Sequence, residues 1–287
     1  MYSPPKIIAE IGCNHKGDIS IAKQLLDMVA TSGVKIAKFQ KRNNKQLLTK
    51  EQYDAPHPNP TNSYGSSYGK HRDFLEFSLD QHKELKKYSE KIGLIYSTSV
   101  WDVISAKEIV SISPDLIKVS SASNINFDIL KILRDNYSGE VHISFGMTTS
   151  KEQEEIISFF ELKNQAKRLI IYACTSGYPV PFEDVCMLEI LKIKEKFSSR
   201  VKSIGFSGHH LGIAVDIAAY TLGAEWIERH VTLDRTWKGT DHAASLEPTG
   251  LQKLSRDLNA TYKVLKYKKS EILDIEIIQR DKLKFKK

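Results

Sequence analysis

Two short runs in the C-terminal half of the chain carry the residues best suited to chemistry. Ser207-Gly208-His209-His210 and Glu228-Arg229-His230 each close a stretch that predicts a β-strand. Neutral imidazole binds borderline divalent metals, and ligands from neighbouring strand ends can converge on an ion while its opposite side stays open to water or substrate. The pattern predicts a catalytic metal site. The alternative is that these histidines are polar residues at strand-to-helix turns.

Two lysines, Lys38 and Lys118, lie within apolar runs that predict buried strands. A buried charge is costly unless it is paired or used. Serine and threonine residues follow several of the same predicted strands, and lysines with hydroxyl groups form a cradle for a phosphate or carboxylate. The alternative is that each lysine pairs with an interior acid such as Glu10 or Glu228.

The sequence also predicts the strands and helices that must position these residues. Short β-branched runs alternate with longer amphipathic segments, a pattern typical of parallel strands covered by helices. Eight strands are predicted, at 6–11, 35–40, 93–98, 115–119, 140–144, 168–174, 202–206 and 225–230. Helices are predicted between and after them, at about 18–32, 80–91, 102–111, 126–135, 150–162, 184–196, 211–222 and 249–265. Eight such units in 287 residues favour an α/β fold of the closed (β/α)8 TIM-barrel type, whose active site lies at the carboxyl ends of the strands.

The pattern predicts a single barrel domain over residues 1–270 with one long insert. The insert, at about 41–79, is rich in Asn, Pro, Tyr, Ser and Gly, and connections of this length are usually functional or disordered. Its aromatic residues and the run Lys70-His71-Arg72 predict that at least its second half is ordered. Residues 271–287 are expected to form a mobile basic extension.

Composition excludes several classes of protein. The formal net charge of +7 comes from lysines spread along predicted helices, which indicates a solvated surface that helps attract an anionic substrate rather than a nucleic-acid site. The three cysteines form neither a CxxC pair nor an even framework, so we expect a cytoplasmic protein without disulfides. No apolar run approaches the length of about 18 residues that spans a membrane, and the first residues do not resemble a signal peptide.

Taken in order along the chain, the strand-end residues resemble those of the sialic acid synthase (N-acetylneuraminate synthase) family. Members of this family condense phosphoenolpyruvate with a sugar aldehyde to make nine-carbon 3-deoxy-ulosonic acids. The resemblance runs from Ile7 to about Tyr262 and rests on a series of short motifs, Ala9-Glu10-Ile11-Gly12-Cys13-Asn14-His15, Lys38-Phe39-Gln40, Ser97-Thr98, Lys118 with Ser121, Ser144-Phe145-Gly146-Met147, Cys174-Thr175 with Tyr178-Pro179, Phe182-Glu183-Asp184, Gly205-Phe206-Ser207-Gly208-His209 and Glu228-Arg229-His230.

The resemblance implies roles for individual residues. His209 and His230 would bind a divalent metal, with manganese as the first choice and magnesium or cobalt as alternatives. Phosphoenolpyruvate would be held by a set of polar residues, Thr98, Lys118, Ser121, Ser144, Tyr178 and Ser207. The catalytic group would comprise Glu10, Lys38, Lys118 and Asp241, with Glu10 and Asp241 towards the sugar.

Three positions depart from the family pattern. The family's Ser-Gly-Glu after the strand-four lysine is Ser121-Ala122-Ser123, its Ser-Asp-His is Ser207-Gly208-His209, and an expected asparagine is Ser176. Because the glutamate of the first motif is replaced, the interpretation leaves Glu10 or a metal-bound water to handle protons.

Most members also carry a C-terminal antifreeze-like domain that supplies an arginine to the sugar pocket across a dimer. This sequence extends about 20 residues beyond the last predicted barrel helix, so we expect the insert to cover the sugar, with Tyr68, His71 and Arg72 as contacts and Glu228 beside them. A homodimer or a higher homo-oligomer is expected. The alternative is that the insert only packs over the barrel or forms a subunit contact.

The function that follows is a transferase reaction, a metal-assisted aldol-type condensation. The metal would polarise the aldehyde, C3 of phosphoenolpyruvate would attack it, water would add at C2, and phosphate would leave. One alternative is a related 3-deoxy-ulosonate or 3-deoxy-ulosonate-phosphate synthase that uses a different aldose. Another is a catalytically inactive barrel that binds a sugar acid.

Overall fold

Eight parallel strands close into a barrel in chain order, so the predicted (β/α)8 fold is confirmed. The structure is a computed structural model that describes residues 2–285. Met1, and Lys286 and Lys287 at the end of the expected basic extension, lie outside the described residues. The strands are β1 Lys6–Gly12, β2 Ile36–Lys41, β3 Ile95–Val100, β4 Leu116–Val119, β5 Glu140–Ser144, β6 Leu169–Cys174, β7 Ser203–Gly208 and β8 Trp226–His230.

Helices cover the outside of the barrel and also occupy the insert. They are α1 Ile19–Thr31, α2 Asn44–Leu47, α3 Lys50–Asp54, α4 Tyr68–Phe74, α5 Leu79–Lys91, α6 Val103–Ser111, α7 Phe127–Asn136, α8 Ser150–Glu161, α9 Glu189–Phe197, α10 Ala214–Thr221, α11 Pro248–Val264 and α12 Asp274–Leu283. Local sequence explains several of their starts. Asp18 caps α1 by accepting from the backbone of Ser20, and Thr149 forms a capping box with Glu152 at α8.

Strand β3 begins and ends two residues later than its predicted range of 93–98. Gly93 has a positive φ of +77°, and the backbone N–H of Leu94 still donates to the carbonyl of Ser89 in α5. The chain is therefore completing the turn that ends α5 when the sequence pattern already reads as strand. This displacement decides which residues of β3 reach the strand end.

Successive side chains along a strand alternate between the inside of the barrel and the helix layer. An apolar cluster fills the lower interior, formed by Ile8, Ile36, Leu116, Ile170, Tyr172 and Trp226. Two residues further along four of these strands, towards their carboxyl ends, the interior positions are charged, namely Glu10, Lys38, Lys118 and Glu228. The intervening residues, such as Ala9 and Phe39, pack in the large core between barrel and helices.

The insert contains helices in both halves, and its second half is ordered as expected. Helices α2, α3 and α4 are capped by Asn43, Thr49 and Ser67, and His71 of α4 is buried. Within the expected basic extension, Asp274–Leu283 form a ten-residue helix, none of whose residues is buried. Among residues 2–285, no helix combines the length and apolar character that crossing a membrane requires.

Candidate active site

A cavity of about 170 Å³ opens at the carboxyl ends of the strands. Its walls contain most of the residues that the sequence pointed to, namely Glu10, Lys38, Lys118, Ser121, Ser144, Tyr178, Ser207, His209, Glu228 and His230. They meet there because each lies at or just beyond the carboxyl end of a strand and faces the interior. Further lining residues that the sequence left without a role are Gln40, Ser99, Trp101, Ser120, Ala122, Met147, Cys174 and Ser176.

Four charged side chains meet at the inner end of this cavity, and they are paired with one another. Lys38 forms an ion pair with Glu10, and its Nζ lies 3.7 Å from Oε2 of Glu228. The Nζ of Lys118 lies 2.5 Å from Oε1 of Glu228. The alternative reading of the two lysines, in which interior acids balance them, is therefore the arrangement in the structure.

Burial and charge pairing act in opposite directions on the pKa values of this cluster. Burial alone would raise the pKa of Glu228, but the ammonium groups of Lys118 and Lys38 outweigh it and hold this pKa well below its ordinary value. Burial opposes the charge on Lys38, yet Glu10 and Glu228 outweigh it and raise the lysine's pKa. Glu228 and Lys38 are therefore charged at neutral pH, whereas burial is the largest effect on Lys118 and lowers its pKa despite the neighbouring Glu228.

Glu228 was expected beside the sugar, but its carboxylate contacts residues expected to hold phosphoenolpyruvate. Besides Lys118, it accepts a hydrogen bond of 3.0 Å from the hydroxyl of Ser207. The reason is strand register, because Glu228 lies two residues before His230 and is therefore deeper in the barrel.

Hydroxyl groups with unused hydrogen-bonding capacity line the wall beside the lysines. Among residues 2–285, the buried Oγ atoms of Ser120 and Ser144 have no hydrogen-bond partner. Ser121 accepts a bond of 3.1 Å from the backbone N–H of Gly146. Buried polar atoms are normally paired, so the two unpartnered hydroxyls fit a polar ligand in this cavity.

Thr98 requires a correction, because it does not line the cavity. It shares a face of β3 with Tyr96, which packs in the helix-side core. Ser97 and Ser99 face the interior instead, and Ser99 accepts a hydrogen bond of 2.9 Å from Lys38 Nζ. Since β3 runs to Val100 rather than ending at Thr98, the hydroxyl at the strand end belongs to Ser99.

The imidazoles of His209 and His230 lie side by side, with ring centroids 5.5 Å apart and the ring of Tyr178 against both. Nδ1 of His209 donates to the carbonyl of Thr175 at 3.0 Å, which leaves its Nε2 lone pair free. Burial lowers the pKa of His209 to about 3, so the ring is neutral at pH 7. Nδ1 of His230 is buried and has no hydrogen-bond partner in the described part of the chain.

This donor set fits a divalent cation. Two neighbouring imidazoles, each with a ring nitrogen available, can ligate an ion and leave its remaining positions to water and substrate. Within residues 2–285, no three His, Cys, Asp or Glu side chains converge as a complete metal cluster. Asp241 lies just outside the cavity lining, with Oδ2 at 3.9 Å from Nδ1 of His230.

His210 is separate from this pair and has a structural role. It is fully buried, and its Nε2 lies 2.9 Å from a guanidinium nitrogen of Arg229. Arg229 also pairs with Asp216 and donates to the carbonyls of His210 and Gly212, each at 2.7 Å. This buried ion pair ties the segment that follows His209 to β8 beside His230.

The three insert residues that were expected to contact the sugar do not line the cavity. Tyr68, His71 and Arg72 lie on α4, and Arg72 approaches the cavity only through Trp101, with Cζ at 5.6 Å from the tryptophan ring. His71 is corrected to a structural residue, because its ring is buried and Nδ1 accepts a bond of 3.0 Å from the backbone N–H of Tyr64. Tyr68 packs against Arg72, 5.3 Å from ring centroid to Cζ.

A larger cavity, of about 690 Å³, opens at the opposite end of the barrel beside residues such as Lys6, Lys35 and Trp226. Barrels of this type carry their chemistry at the carboxyl ends of the strands. The smaller cavity, which collects the charged groups and imidazoles, is therefore the candidate active site.

Comparison with known proteins shows which family the chain resembles. Residues 25–270 match the NeuB family. An N-acetylneuraminate-9-phosphate synthase from Homo sapiens is 35% identical over 280 residues, which make up 98% of this chain and 76% of that protein. An N,N'-diacetyllegionaminic acid synthase from Campylobacter jejuni is 32% identical over 281 residues, covering 96% of this chain and 83% of the relative.

A solved structure is also similar over nearly the whole chain. It is an N-acetylneuraminic acid (sialic acid) synthetase from Leptospira borgpetersenii serovar Hardjo-bovis in complex with citrate, 29% identical in sequence with a TM-score of 0.82. The match covers 99% of this chain and 94% of that one.

Proposed function

The chain belongs to the NeuB family, and we propose that it condenses phosphoenolpyruvate with a sugar aldehyde of the N-acetylmannosamine type to give a nine-carbon 3-deoxy-ulosonic acid and phosphate. It is an enzyme, a phosphoenolpyruvate-dependent synthase that forms a carbon–carbon bond. One observation carries the finer proposal. Lys38 and Lys118, with unpartnered serine hydroxyls beside them among the described residues, face the same small cavity as His209 and His230.

The lysine and serine wall is the proposed site for phosphoenolpyruvate. Ammonium groups supply charge-assisted hydrogen bonds to phosphate or carboxylate, and the hydroxyls of Ser120 and Ser144 supply directed ones. A cavity of about 170 Å³ is smaller than those that usually enclose a drug-sized ligand, so it suits one small substrate. The sugar would then lie towards the mouth, near Tyr178 and Trp101.

His209 and His230 would hold the divalent cation, with manganese as the first candidate and magnesium or cobalt as alternatives. When bound, the cation would act as a Lewis acid on the aldehyde oxygen. Asp241 would support this side of the site through its proximity to His230. Tyr178, whose ring packs against both imidazoles, would limit the access of water.

Glu10 is the proposed proton carrier. In the reaction a bond forms between C3 of phosphoenolpyruvate and the aldehyde carbon, and water adds to C2; Glu10 would take the proton that this water gives up and pass it to the aldehyde oxygen. The C2 hydroxyl would then give its proton to the departing phosphate as the C2–O bond breaks, which leaves a ketone at C2. Oε1 of Glu10 accepts a bond of 2.9 Å from Gln40, and its other oxygen meets Lys38. Ser123, which stands where the family pattern has glutamate, donates to the carbonyl of Trp101 at 3.0 Å and is buried.

The test is phosphate release from phosphoenolpyruvate, followed with and without sugar and with and without MnCl2. The sugar panel contains N-acetylmannosamine, its 6-phosphate, mannose, arabinose and bacterial diacetamido sugars, and mass spectrometry identifies the acid formed. Release that requires both an N-acetylmannosamine-type sugar and the metal supports the proposal. Release with arabinose alone would favour the synthase of a different aldose. Sugar-acid binding without any release would favour the inactive barrel.

A further inference from the structure

An aromatic ring lies directly beneath the ammonium group of Lys118, inside the barrel. Nζ of Lys118 is 4.2 Å from the ring centroid of Tyr172, and both side chains are almost completely buried. Tyr172 is on β6, and its ring belongs to the apolar cluster of the lower interior. It therefore separates the charged end of the barrel from the apolar filling below.

The Tyr172 ring is held in place from its far end. Its hydroxyl lies 2.7 Å from Nδ1 of His142, whose Nε2 lies 3.4 Å from Oε2 of Glu140. Burial lowers the pKa of His142 to about 4, so the ring is neutral, donates from Nε2 to Glu140 and accepts from the tyrosine at Nδ1. Glu140 in turn pairs with Lys202 at the barrel's amino-terminal end.

The barrel wall is also shaped around this ring. A Cβ placed on Gly205 of β7 would lie 2.5 Å from Cε1 of Tyr172 and 3.0 Å from Cβ of Trp226. Any side chain at position 205 would therefore displace the tyrosine. The indole of Trp226 packs edge-on against His142, with ring centroids 4.7 Å apart.

We propose that Tyr172 is a positioning residue for Lys118, which keeps the ammonium group at the height where it can contact an anionic substrate in the cavity. The face of the ring attracts the cation electrostatically, and the ring occupies the space into which the lysine would otherwise retract. This inference rests on the proposed function, in which Lys118 binds phosphoenolpyruvate. It adds a residue that cannot reach the substrate but sets the affinity for its charged groups.

The test compares Tyr172→Leu, which removes the ring, with Tyr172→Phe, which keeps the ring and loses only the hydroxyl. Tyr96→Leu is the matched control, because Tyr96 is equally buried and its hydroxyl lies 2.6 Å from Nδ1 of His82, but on the helix side of the barrel. Dissociation constants for phosphoenolpyruvate are measured by calorimetry, together with kcat and the KM of each substrate.

We expect Tyr172→Leu to weaken phosphoenolpyruvate binding by about 3- to 30-fold, the range of cation–π contributions, with the sugar KM unchanged. Tyr172→Phe should restore binding to within about threefold of the parent, and Tyr96→Leu should lower stability without changing phosphoenolpyruvate binding. Should Tyr172→Leu fail to fold, Tyr172→Met fills the space with a flexible chain and replaces it in the comparison.

Parent-like phosphoenolpyruvate binding by Tyr172→Leu or Tyr172→Met would overturn the positioning role, as would equal weakening by Tyr96→Leu. Lys118→Ala is measured alongside to separate this failure from that of the proposed function. If Lys118→Ala binds phosphoenolpyruvate like the parent, the proposed role of Lys118 itself is wrong.

Discussion

Lys118 and Glu228 meet across the barrel, with the lysine Nζ 2.5 Å from the carboxylate Oε1, although 110 residues separate them in the chain. Their strands, β4 and β8, lie on opposite sides of the eight-strand ring. The pair therefore crosses the barrel interior just below the candidate substrate position. Its two charges, with those of Lys38 and Glu10, balance within the protein.

Lys118→Ala should weaken the binding of phosphoenolpyruvate more than that of the sugar. Loss of a charge-assisted hydrogen bond costs about 1.5–3 kcal/mol, or roughly 10- to 150-fold in affinity. Calorimetric titration with phosphoenolpyruvate measures the effect. Lys41→Ala is the matched control, because Lys41 also ends a strand but pairs with Glu108 at 3.3 Å and does not line the cavity. Equal affinities for parent and Lys118→Ala would reassign this lysine to structure.

Stability should respond to the same pair in a non-additive way. Lys118→Met leaves the buried carboxylate of Glu228 without its nearest cation, and breaking a buried pair costs about 3–5 kcal/mol. The double variant Lys118→Met/Glu228→Gln removes the uncompensated charge and should recover part of that loss. Urea unfolding of the parent, both single variants and the double variant provides the cycle. Simple additivity would mean that the pair contributes no coupling.

His209→Ala and His230→Ala should each abolish turnover and lower the affinity for Mn²⁺ without unfolding the protein. The physical reason is that each removes an imidazole nitrogen from the proposed cation site. Calorimetry with MnCl2 measures the metal affinity, and circular dichroism checks that the variants are folded. His57→Ala is the control, because His57 does not line the cavity. Full turnover of either variant in metal-depleted buffer would exclude the metal role.

Arg72→Ala should chiefly impair the use of the sugar, by raising its apparent KM or lowering kcat. Arg72 can influence the cavity through Trp101, because its guanidinium group packs against the indole ring and that tryptophan lines the cavity. Steady-state kinetics at fixed phosphoenolpyruvate measures it, with Lys70→Ala as an exposed control on the same helix. Mixing Arg72→Ala with His209→Ala tests for a site shared between subunits, because restored activity requires both chains. Parent-like kinetics with every accepted sugar would end the assignment of Arg72 to the sugar side.

Unfolding free energy should fall as the pH drops from 7 towards 4.5. Burial lowers the pKa of His15 and His82 to about 3 and of His71 and His142 to about 4. In the unfolded chain these groups have their ordinary pKa near 6.5, so below that pH unfolding takes up protons. Each histidine adds a slope of up to about 1.4 kcal/mol per pH unit between its unfolded and folded pKa values, and its contribution is complete above the unfolded value.

Urea titrations at pH 7, 6, 5 and 4.5 measure this slope. In His82→Gln, one such group is missing and the slope should be shallower. A free energy of unfolding that stays constant from pH 7 to pH 5 would contradict the prediction.

The barrel could be predicted because each buried strand corresponds to a short apolar run in the sequence. The site could be predicted in part because the carboxyl ends of the parallel strands lie at the same end of the barrel. The same logic predicts that Lys38, Lys118, His209 and His230 lie together, and all four line the cavity. The prediction was wrong where a shift of a strand boundary changes which side chains face the barrel interior. The turn through Gly93 delays β3, and Ser99 rather than Thr98 therefore faces the interior.

Pairing across the barrel was less accessible to sequence reasoning. Nothing local distinguishes Glu228 as a partner of Lys118 from a residue that faces the sugar, since the answer depends on side-chain length and on depth along β8. The contacts made by the side chains of α4 could not be predicted from the sequence for a similar reason. Helical geometry buries His71 within the insert while Arg72 meets Trp101, and the positions of these neighbours depend on tertiary packing.

The close approach of Gly205 to the Tyr172 ring restricts how this barrel can evolve. Alanine at position 205 would collide with the tyrosine, so a descendant can acquire it only together with, or after, a smaller residue at position 172. The two sites would then be inherited as a correlated pair across separate strands. Among homologous sequences, glycine at 205 should accompany a large aromatic residue at 172, and larger residues at 205 should appear only where that ring has been lost.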